Sequence, residues 1–163
     1  QDLFVDQLQD IFDAENQLVD ALPQMAAAAK NSDLKKAFTD HLQETREHVS
    51  RLRDAFQLLG IPAKGKRCKA MQGLVKEGEE VLEAEGDPDV IDAALIAAAQ
   101  RVEHYEIAAY GTVKAYAKQL GHKDILKLLE KTSDEEGAAD KKLTKLAEGS
   151  IMKKSINKVA AEG

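Results

Sequence analysis

The sequence contains little of what sheet proteins and disulfide-bonded proteins need. Among its 163 residues there is no Trp, there are 3 Pro and 1 Cys, and aromatic residues make up 4 %. A chain so poor in aromatic residues disfavours a β-sandwich or a β-barrel, because strands are enriched in them. The single cysteine, Cys68, cannot form a disulfide within the chain. We therefore expect a reducing compartment, the cytoplasm.

Long hydrophobic runs and a basic surface are missing as well. No apolar run approaches the roughly 20 residues that a membrane-spanning helix needs, and the first residues do not resemble a signal peptide. The 29 Asp and Glu residues outnumber the 23 Lys and Arg residues, which gives a formal net charge of −6. We expect neither a membrane nor a nucleic acid as a partner, because nucleic-acid binding needs a basic face.

What the chain has instead is the composition and spacing of long helices. Hydrophobic residues make up 44 % and charged residues 32 %, and apolar residues recur at three- and four-residue steps. This periodicity predicts long helices over about 2–29, 33–59, 88–120 and 124–148, with a weaker helix over about 69–84. The order predicts an all-α fold, a four-helix bundle with a short helix in the long crossover between helices two and three.

The predicted bundle covers residues 1–149, and residues 150–163 are expected to form a loosely ordered tail that contains several lysines. The two halves of the bundle also resemble each other weakly. An offset of 91 residues places Glu44 over Glu135 and Leu52 over Leu143. This correspondence indicates an internal duplication of a helical hairpin.

Acidic residues and histidines stand on or beside each long helix's apolar stripe, near mid-length. They are Glu15 on the first helix; His41, Glu44 and His48 on the second; Glu103 and Glu106 on the third; and Glu135 and Glu136 on the fourth. A buried carboxylate costs several kcal/mol unless it is paired, protonated or bound to a metal. These residues therefore need partners if they face the core.

Two interpretations of these residues are open. A single Glu on an apolar stripe often lies at its edge, where it reaches solvent or pairs with a Lys. Four helices that all carry acids at similar depth favour convergence on metal ions, because clustered carboxylates repel each other unless cations neutralise them. Carboxylates suit hard cations and imidazole suits iron, so two iron or manganese ions fit the set.

Individual motifs resemble those of ferritin-like proteins. Glu103-x-x-Glu106 is similar to the third helix of rubrerythrins. The segment DEEGAAD at residues 134–140 resembles the last-helix ligand motif of bacterioferritins, with Ala138 where the His should stand. The segment ETREH at residues 44–48 is similar to the matching motif of the second helix, with its His one position late.

Nearly the whole chain resembles the YciF/YciE-like family of ferritin-like stress proteins. The stretches that carry the likeness are AENQL at 14–18, HLQET at 41–45 and, above all, DAALIAAAQRVEHYEIAAYG at 92–111. The resemblance implies a ferritin-like four-helix bundle, a dinuclear metal site and a homodimer. It implies no known reaction.

Carried over residue by residue, the resemblance also implies a set of metal ligands. They are Glu15, Glu44, Glu103 and Glu135 as bridging or chelating ligands, Glu106 as an added terminal ligand and His48 as the nitrogen donor. Because Ala138 replaces the last-helix His, the second ion needs His48 or Glu106 to complete its coordination. His48 is preferred to Glu47 because it lies closer to the apolar stripe, although a core His bonded to a carboxylate is an equal alternative. His41, Tyr110 and Glu136 are expected beside the ligands, or in the core, rather than among the ligands.

These features together predict a cytoplasmic, homodimeric stress protein with a carboxylate-bridged dinuclear centre of iron, manganese or both. Such a centre would oxidise Fe(II) or reduce peroxide or oxygen. Two alternatives come from other functional classes. One is a non-catalytic dimeric bundle with a vestigial site, and the other is an iron-storage subunit that assembles into a cage.

Overall fold

A computed structural model describes residues 1–149 and 155–162 of the chain. In these residues the elements are α1 (Asp2–Ala28), α2 (Ser32–Leu58), α3 (Lys69–Glu83), α4 (Pro88–Leu120), α5 (Lys123–Glu148) and α6 (Ile156–Glu162). The described part contains no strand, which confirms the predicted all-α class. No helix in the described ranges is both long and apolar enough to cross a membrane.

The four long helices form two hairpins that pack on each other. α1 pairs with α2 and α4 pairs with α5, while α1 also contacts α4 and α2 contacts α5. α3 lies in the crossover between the hairpins and packs against α1 and α4. The predicted four-helix bundle with a helix in its long crossover is therefore confirmed.

The helices begin and end at residues whose side chains or backbone suit a helix end. The Asn31 side chain accepts hydrogen bonds from the backbone N–H groups of Asp33 (2.9 Å) and Leu34 (3.1 Å), so it caps the start of α2. Asp87 caps α4, with a Pro in its first turn. Gly121 follows α4 with φ 77°, a left-handed conformation that glycine adopts without strain.

The crossover before α3 is fixed to α1 by partly buried hydrogen bonds. The backbone N–H of Cys68 donates to Asp13 Oδ2 (2.8 Å), and its carbonyl accepts from Gln17 Nε2 (3.2 Å). The Cys68 side chain is fully buried and lies 2.9 Å from the Tyr105 hydroxyl. Cys68 therefore holds the crossover in place as a buried structural residue.

The turn between α1 and α2 is closed by a residue of α4. Asp92 is 1 % exposed, and its two carboxylate oxygens accept hydrogen bonds from the backbone N–H groups of Lys30 (2.9 Å) and Asn31 (2.7 Å). Buried backbone donors need such partners, because an unsatisfied N–H costs about 1–3 kcal/mol. One carboxylate thus joins the two hairpins.

The interior consists of two apolar clusters with polar residues between them. The Leu22 cluster includes Leu18, Leu22, Met25, Phe38, Val102 and Leu143. The Phe4 cluster includes Phe4, Leu8, Leu52, Phe56, Tyr110 and Ile125. Each long helix passes from one cluster to the other, and the segments between them carry buried polar side chains at Glu15 and within 41–48, 103–106 and 132–136. We call these four segments the polar layer.

Part of the predicted loose tail is a helix that packs on the bundle. α6 contacts α4 and α5, and Ile156 is 5 % exposed in the Leu22 cluster. Ser155 donates to the Ala147 carbonyl through its hydroxyl (2.6 Å) and accepts from the Lys158 N–H (3.0 Å). The burial of Ile156 orders residues 155–162. The rest of the predicted tail, residues 150–154 and 163, lies outside the described residues.

Candidate metal centre

The polar layer buries six side chains that can ligate a metal, and none of them is more than 7 % exposed. They are Glu15 of α1, His41 and His48 of α2, Glu103 and Glu106 of α4, and Glu136 of α5. All four long helices contribute to this set. Glutamate is almost never fully buried unless it is paired, so a set that includes four buried glutamates is unusual for a structural core.

The six side chains, which we call the cluster, form two overlapping groups. His41, Glu103, Glu106 and Glu136 each offer one ligand atom, and these atoms lie within 4.8 Å of one another. The corresponding atoms of Glu15, His48 and Glu136 form the second group. Ligands about 2.0–2.2 Å from one ion lie within about 4.4 Å of each other, so small side-chain adjustments would let each group hold one ion.

Glu136 belongs to both groups because its two oxygens face different histidines. Oε1 lies 2.9 Å from His48 Nδ1, and Oε2 lies 3.6 Å from His41 Nε2. A carboxylate with one oxygen toward each group has the geometry of a bridge between two ions. Both oxygens lack a hydrogen-bond partner.

Each histidine is held from outside the cluster by a glutamate. His41 Nδ1 lies 3.1 Å from Glu44 Oε2, and His48 Nε2 lies 3.1 Å from Glu135 Oε2. Glu135 also accepts two hydrogen bonds from the Arg51 guanidinium. When the outer nitrogen of an imidazole donates to a carboxylate, the inner nitrogen is left free to bind a metal. His41 thus presents Nε2 to the cluster, and His48 presents Nδ1.

The structure brings together four of the residues that the sequence predicted as ligands: Glu15, His48, Glu103 and Glu106. The other two, Glu44 and Glu135, lie outside both groups, and their side chains are 48 % and 27 % exposed. On α2 the buried face carries His41, Thr45 and His48, and Glu44 is one position out of phase with it. Glu44 and Glu135 instead contact the outer nitrogens of the histidines.

His41 and Glu136 take inner positions, although the sequence analysis placed them beside the ligands. The spacing of the buried residues along α5 is the signal that could have identified Glu136 as an inner residue. Leu129, Thr132, Glu136 and Leu143 follow one another at three-, four- and seven-residue steps and are all buried. His41 stands two turns before His48, on the same face.

Several polar atoms of these six side chains have no hydrogen-bond partner, although the two imidazoles lie within ion-pair distance of the carboxylates. Among the described residues, the buried side-chain nitrogen and oxygen atoms without a hydrogen-bond partner all belong to these six side chains. They are Glu15 Oε2, His41 Nε2, His48 Nδ1, Glu103 Oε2 and both carboxylate oxygens of Glu106 and Glu136. Each unsatisfied buried group costs about 1–3 kcal/mol. Cations in the two groups would satisfy them, so the donor set fits a dinuclear metal centre.

The charges in the cluster shift the proton affinities of its members. Burial raises the pKa of Glu103 and Glu106 well above the usual value for Glu, and burial also raises the pKa of Glu15. Burial alone would lower the pKa of His41, but the neighbouring Glu103 and Glu44 raise it to about 9. Glu136 and Glu15 raise the pKa of His48 to about 10 in the same way. The metal-free cluster therefore retains protons that a cation would displace.

Tyr110 contacts the cluster from the side of the Phe4 cluster. Its side chain is fully buried, and its hydroxyl donates a short hydrogen bond to Glu15 Oε1. Burial and the Glu15 carboxylate raise the pKa of Tyr110, so the hydroxyl stays protonated and remains a donor. The hydrogen bond leaves Glu15 Oε2 as the free ligand atom of that side chain.

The fold and the cluster together define a class of protein: a four-helix bundle with carboxylates and imidazoles from all four long helices converging on its interior. The family model described as "Domain of unknown function (DUF892)" matches residues 1–156, and the chain belongs to this family. It is 45 % identical to Protein YciF of Escherichia coli K12 over 97 % of this chain and 96 % of that protein. The predicted resemblance to the YciF-like family is thus confirmed.

Solved structures support the same assignment. YcfI from Rhodopseudomonas palustris is 46 % identical, with a TM-score of 0.87 over 90 % of this chain and 93 % of that chain. The E. coli stress protein YciF is also 46 % identical, with a TM-score of 0.86 over 89 % of this chain and 92 % of that chain. A protein from Xanthomonas campestris is 19 % identical with a TM-score of 0.68 over 88 % of this chain and 87 % of that chain, which shows a shared fold alone.

Proposed function

We propose that this chain is a stress protein that binds two iron or manganese ions in its polar layer and uses them to reduce peroxide or oxygen, or to oxidise Fe(II). The observation that carries the proposal is that buried donor atoms without hydrogen-bond partners lie together in two groups, and that Glu136 belongs to both groups. The stress role is supported by the likeness to the E. coli stress protein YciF.

The two groups suggest how the ions would be held. His41, Glu103 and Glu106 would bind one ion, Glu15 and His48 would bind the other, and Glu136 would bridge them. A mixture of carboxylates and imidazole suits iron and manganese better than it suits ions that prefer thiolates. Four glutamates and two histidines from all four helices also form the type of ligand set that ferritin-like bundles use.

When bound, two such ions would supply the electrons for reduction of peroxide or oxygen. The side chains around them have separate tasks. Glu44 and Glu135 orient the two imidazoles, and the Tyr110 hydroxyl orients Glu15. Neither oxygen of Glu106 has a hydrogen-bond partner, so both are available as ligand atoms.

The proposal is tested by metal titration of chelator-treated protein under anaerobic conditions. Wild-type protein is expected to bind two Fe(II) or Mn(II) ions per chain. Glu15→Gln and Glu103→Gln should each lose one ion, because each residue belongs to one group. Glu47→Gln, an exposed change on α2, is the matched control and should retain both ions.

Two further readouts separate the parts of the proposal. Stoichiometric metal binding without consumption of peroxide or oxygen would contradict the redox role and leave the metal site standing. A wild-type protein that binds no ion stoichiometrically would contradict both.

We also propose that the protein is a cytoplasmic homodimer without a nucleic-acid or membrane partner. The molecular mass in solution tests the assembly, because an iron-storage cage would have many more subunits.

A further inference from the structure

An apolar cavity lies directly beside the first ligand group. It has a volume of about 100 Å³ and receives side chains from α1, α2, α4 and α5. Its apolar wall includes Leu18, Leu22, Met25, Phe38, Val102 and Leu143. An engineered apolar cavity of about 150 Å³ binds benzene or xenon. The cavity in this protein is smaller, so it suits a compact molecule of no more than one ring.

One side of the cavity is polar and belongs to the candidate metal centre. His41 and Glu103 line it, both are buried, and each retains an atom without a hydrogen-bond partner, His41 Nε2 and Glu103 Oε2. The other polar side chains lie at the mouth: Glu44 and Lys142 are each 48 % exposed, and Glu135 is 27 % exposed. These partly exposed side chains give the cavity an edge that faces solvent.

We propose that this cavity binds a small, uncharged, one-ring molecule with a single hydroxyl group, its ring against the apolar wall and its hydroxyl toward Glu103 and His41. The inference rests on the proposed function only in that these two residues also belong to the first ligand group. A hydroxyl both donates and accepts, so it can form hydrogen bonds with Glu103 Oε2 and His41 Nε2, which have no other hydrogen-bond partner. The ring covers apolar surface that water would otherwise contact. A carboxylate in the same place would face Glu103 and Glu44 and would lose its hydration.

The test uses the metal-free chain of 163 residues and phenol as the probe. Methionine methyl NMR reports on the cavity, because Met25 lines it, whereas Met71 is buried outside it. Phenol should shift the Met25 signal saturably and leave the Met71 signal in place. Benzene, which lacks the hydroxyl, should bind about tenfold more weakly, which corresponds to about 1.4 kcal/mol. Benzoate should produce no saturable shift.

Two alanine-to-leucine changes provide a matched pair of variants. Ala139 lines the cavity, whereas Ala109 packs against the Phe4 cluster, and both are half-buried. Ala139→Leu should abolish the phenol shift, and Ala109→Leu should retain it. If Ala139→Leu does not fold, Leu143→Ala enlarges the cavity instead and should let the protein bind the two-ring molecule naphthol, which wild-type protein excludes.

The outcomes separate this inference from the metal proposal. Glu15→Gln removes a ligand of the second group only, and Glu15 does not line the cavity, so this variant should lose one ion and retain phenol binding. Phenol binding by a protein that takes up no metal would overturn the metal proposal and support the cavity site. No saturable Met25 shift, an equal shift in Ala139→Leu, or benzene binding as tight as phenol binding would overturn the cavity proposal.

Discussion

Replacing Glu136 by Gln tests the geometry of the candidate centre most directly. The substitution preserves the size of a fully buried side chain and removes the charge that both ligand groups share. It leaves three ligands in the first group and only Glu15 and His48 in the second. We therefore expect the second group to stay empty and the first to bind one ion weakly.

The size of the effect follows from the linkage between binding and folding. With free metal at about 100 times its dissociation constant, each site adds about 2.7 kcal/mol to the free energy of unfolding, so two sites add about 5.4 kcal/mol. In a chain of this length 1 kcal/mol changes the Tm by about 2–4 °C, which gives a metal-dependent rise of about 11–22 °C for wild-type protein. One site weakened tenfold adds about 1.4 kcal/mol, or about 3–6 °C.

The assay is thermal unfolding with and without Mn(II), accompanied by measurement of bound metal per chain. Glu130→Gln is the control, because it makes the same chemical change at an exposed position of the same helix. It should show the full metal-dependent rise in Tm. A Glu136→Gln protein that binds two ions with the wild-type rise would refute the bridging role of this carboxylate.

Three further predictions concern the residues around the cluster. Glu44→Gln and Glu135→Gln should each weaken metal binding by about 10–100-fold, because the outer acceptors of the imidazoles lose their negative charge. Calorimetric titration should still give two ions per chain, and loss of an ion would show that these glutamates are ligands themselves. Tyr110→Phe removes the hydroxyl that donates to Glu15 and should lower the free energy of unfolding by about 1–3 kcal/mol. Urea denaturation measures this change, and an unchanged stability would mean that the hydrogen bond contributes nothing. The folded pKa values of the two histidines, about 9 and about 10, lie above the ordinary value, and the raised carboxyl pKa values act in the same direction. For each histidine this stabilisation is fully present below pH 6.5 and is lost as the pH rises from 6.5 through the folded pKa of about 9 or about 10, so metal-free protein should lose up to about 1.4 kcal/mol of stability per pH unit for each proton released. A Tm that rises over this range would contradict the assignment.

Much of the fold could be predicted because the local signals at the helix ends agree with the hydrophobic periodicity. Asn31 before α2, Asp87 and Pro88 at the start of α4, and Gly121 after it each satisfy a specific need of a helix end. α6 could not be predicted in this way. It has seven residues, too few to establish a periodicity, and its position depends on the docking of Ile156 against the bundle.

The site was harder to predict from the sequence than the fold, because the side chains of adjacent residues on a helix point in directions that differ by 100°. The motif resemblance pointed to Glu135, but the phase set by Leu129, Thr132 and Leu143 turns Glu136 inward. The same ambiguity applies to α2, where Glu44 is accessible to solvent and His41 is buried. A sequence shows that each helix carries an acid near mid-length, whereas tertiary packing decides which acid enters the interior.

The closing of the first turn by Asp92 has a consequence for the order of folding. The acceptor for the Lys30 and Asn31 amides lies about 60 residues further along the chain, on the second hairpin. A growing chain that contains only α1, α2 and α3 leaves these amides to water, so the turn gains these two hydrogen bonds only after α4 has been synthesised. The helix that completes the turn of the first hairpin is therefore also the helix that delivers Glu103 and Glu106 to the polar layer.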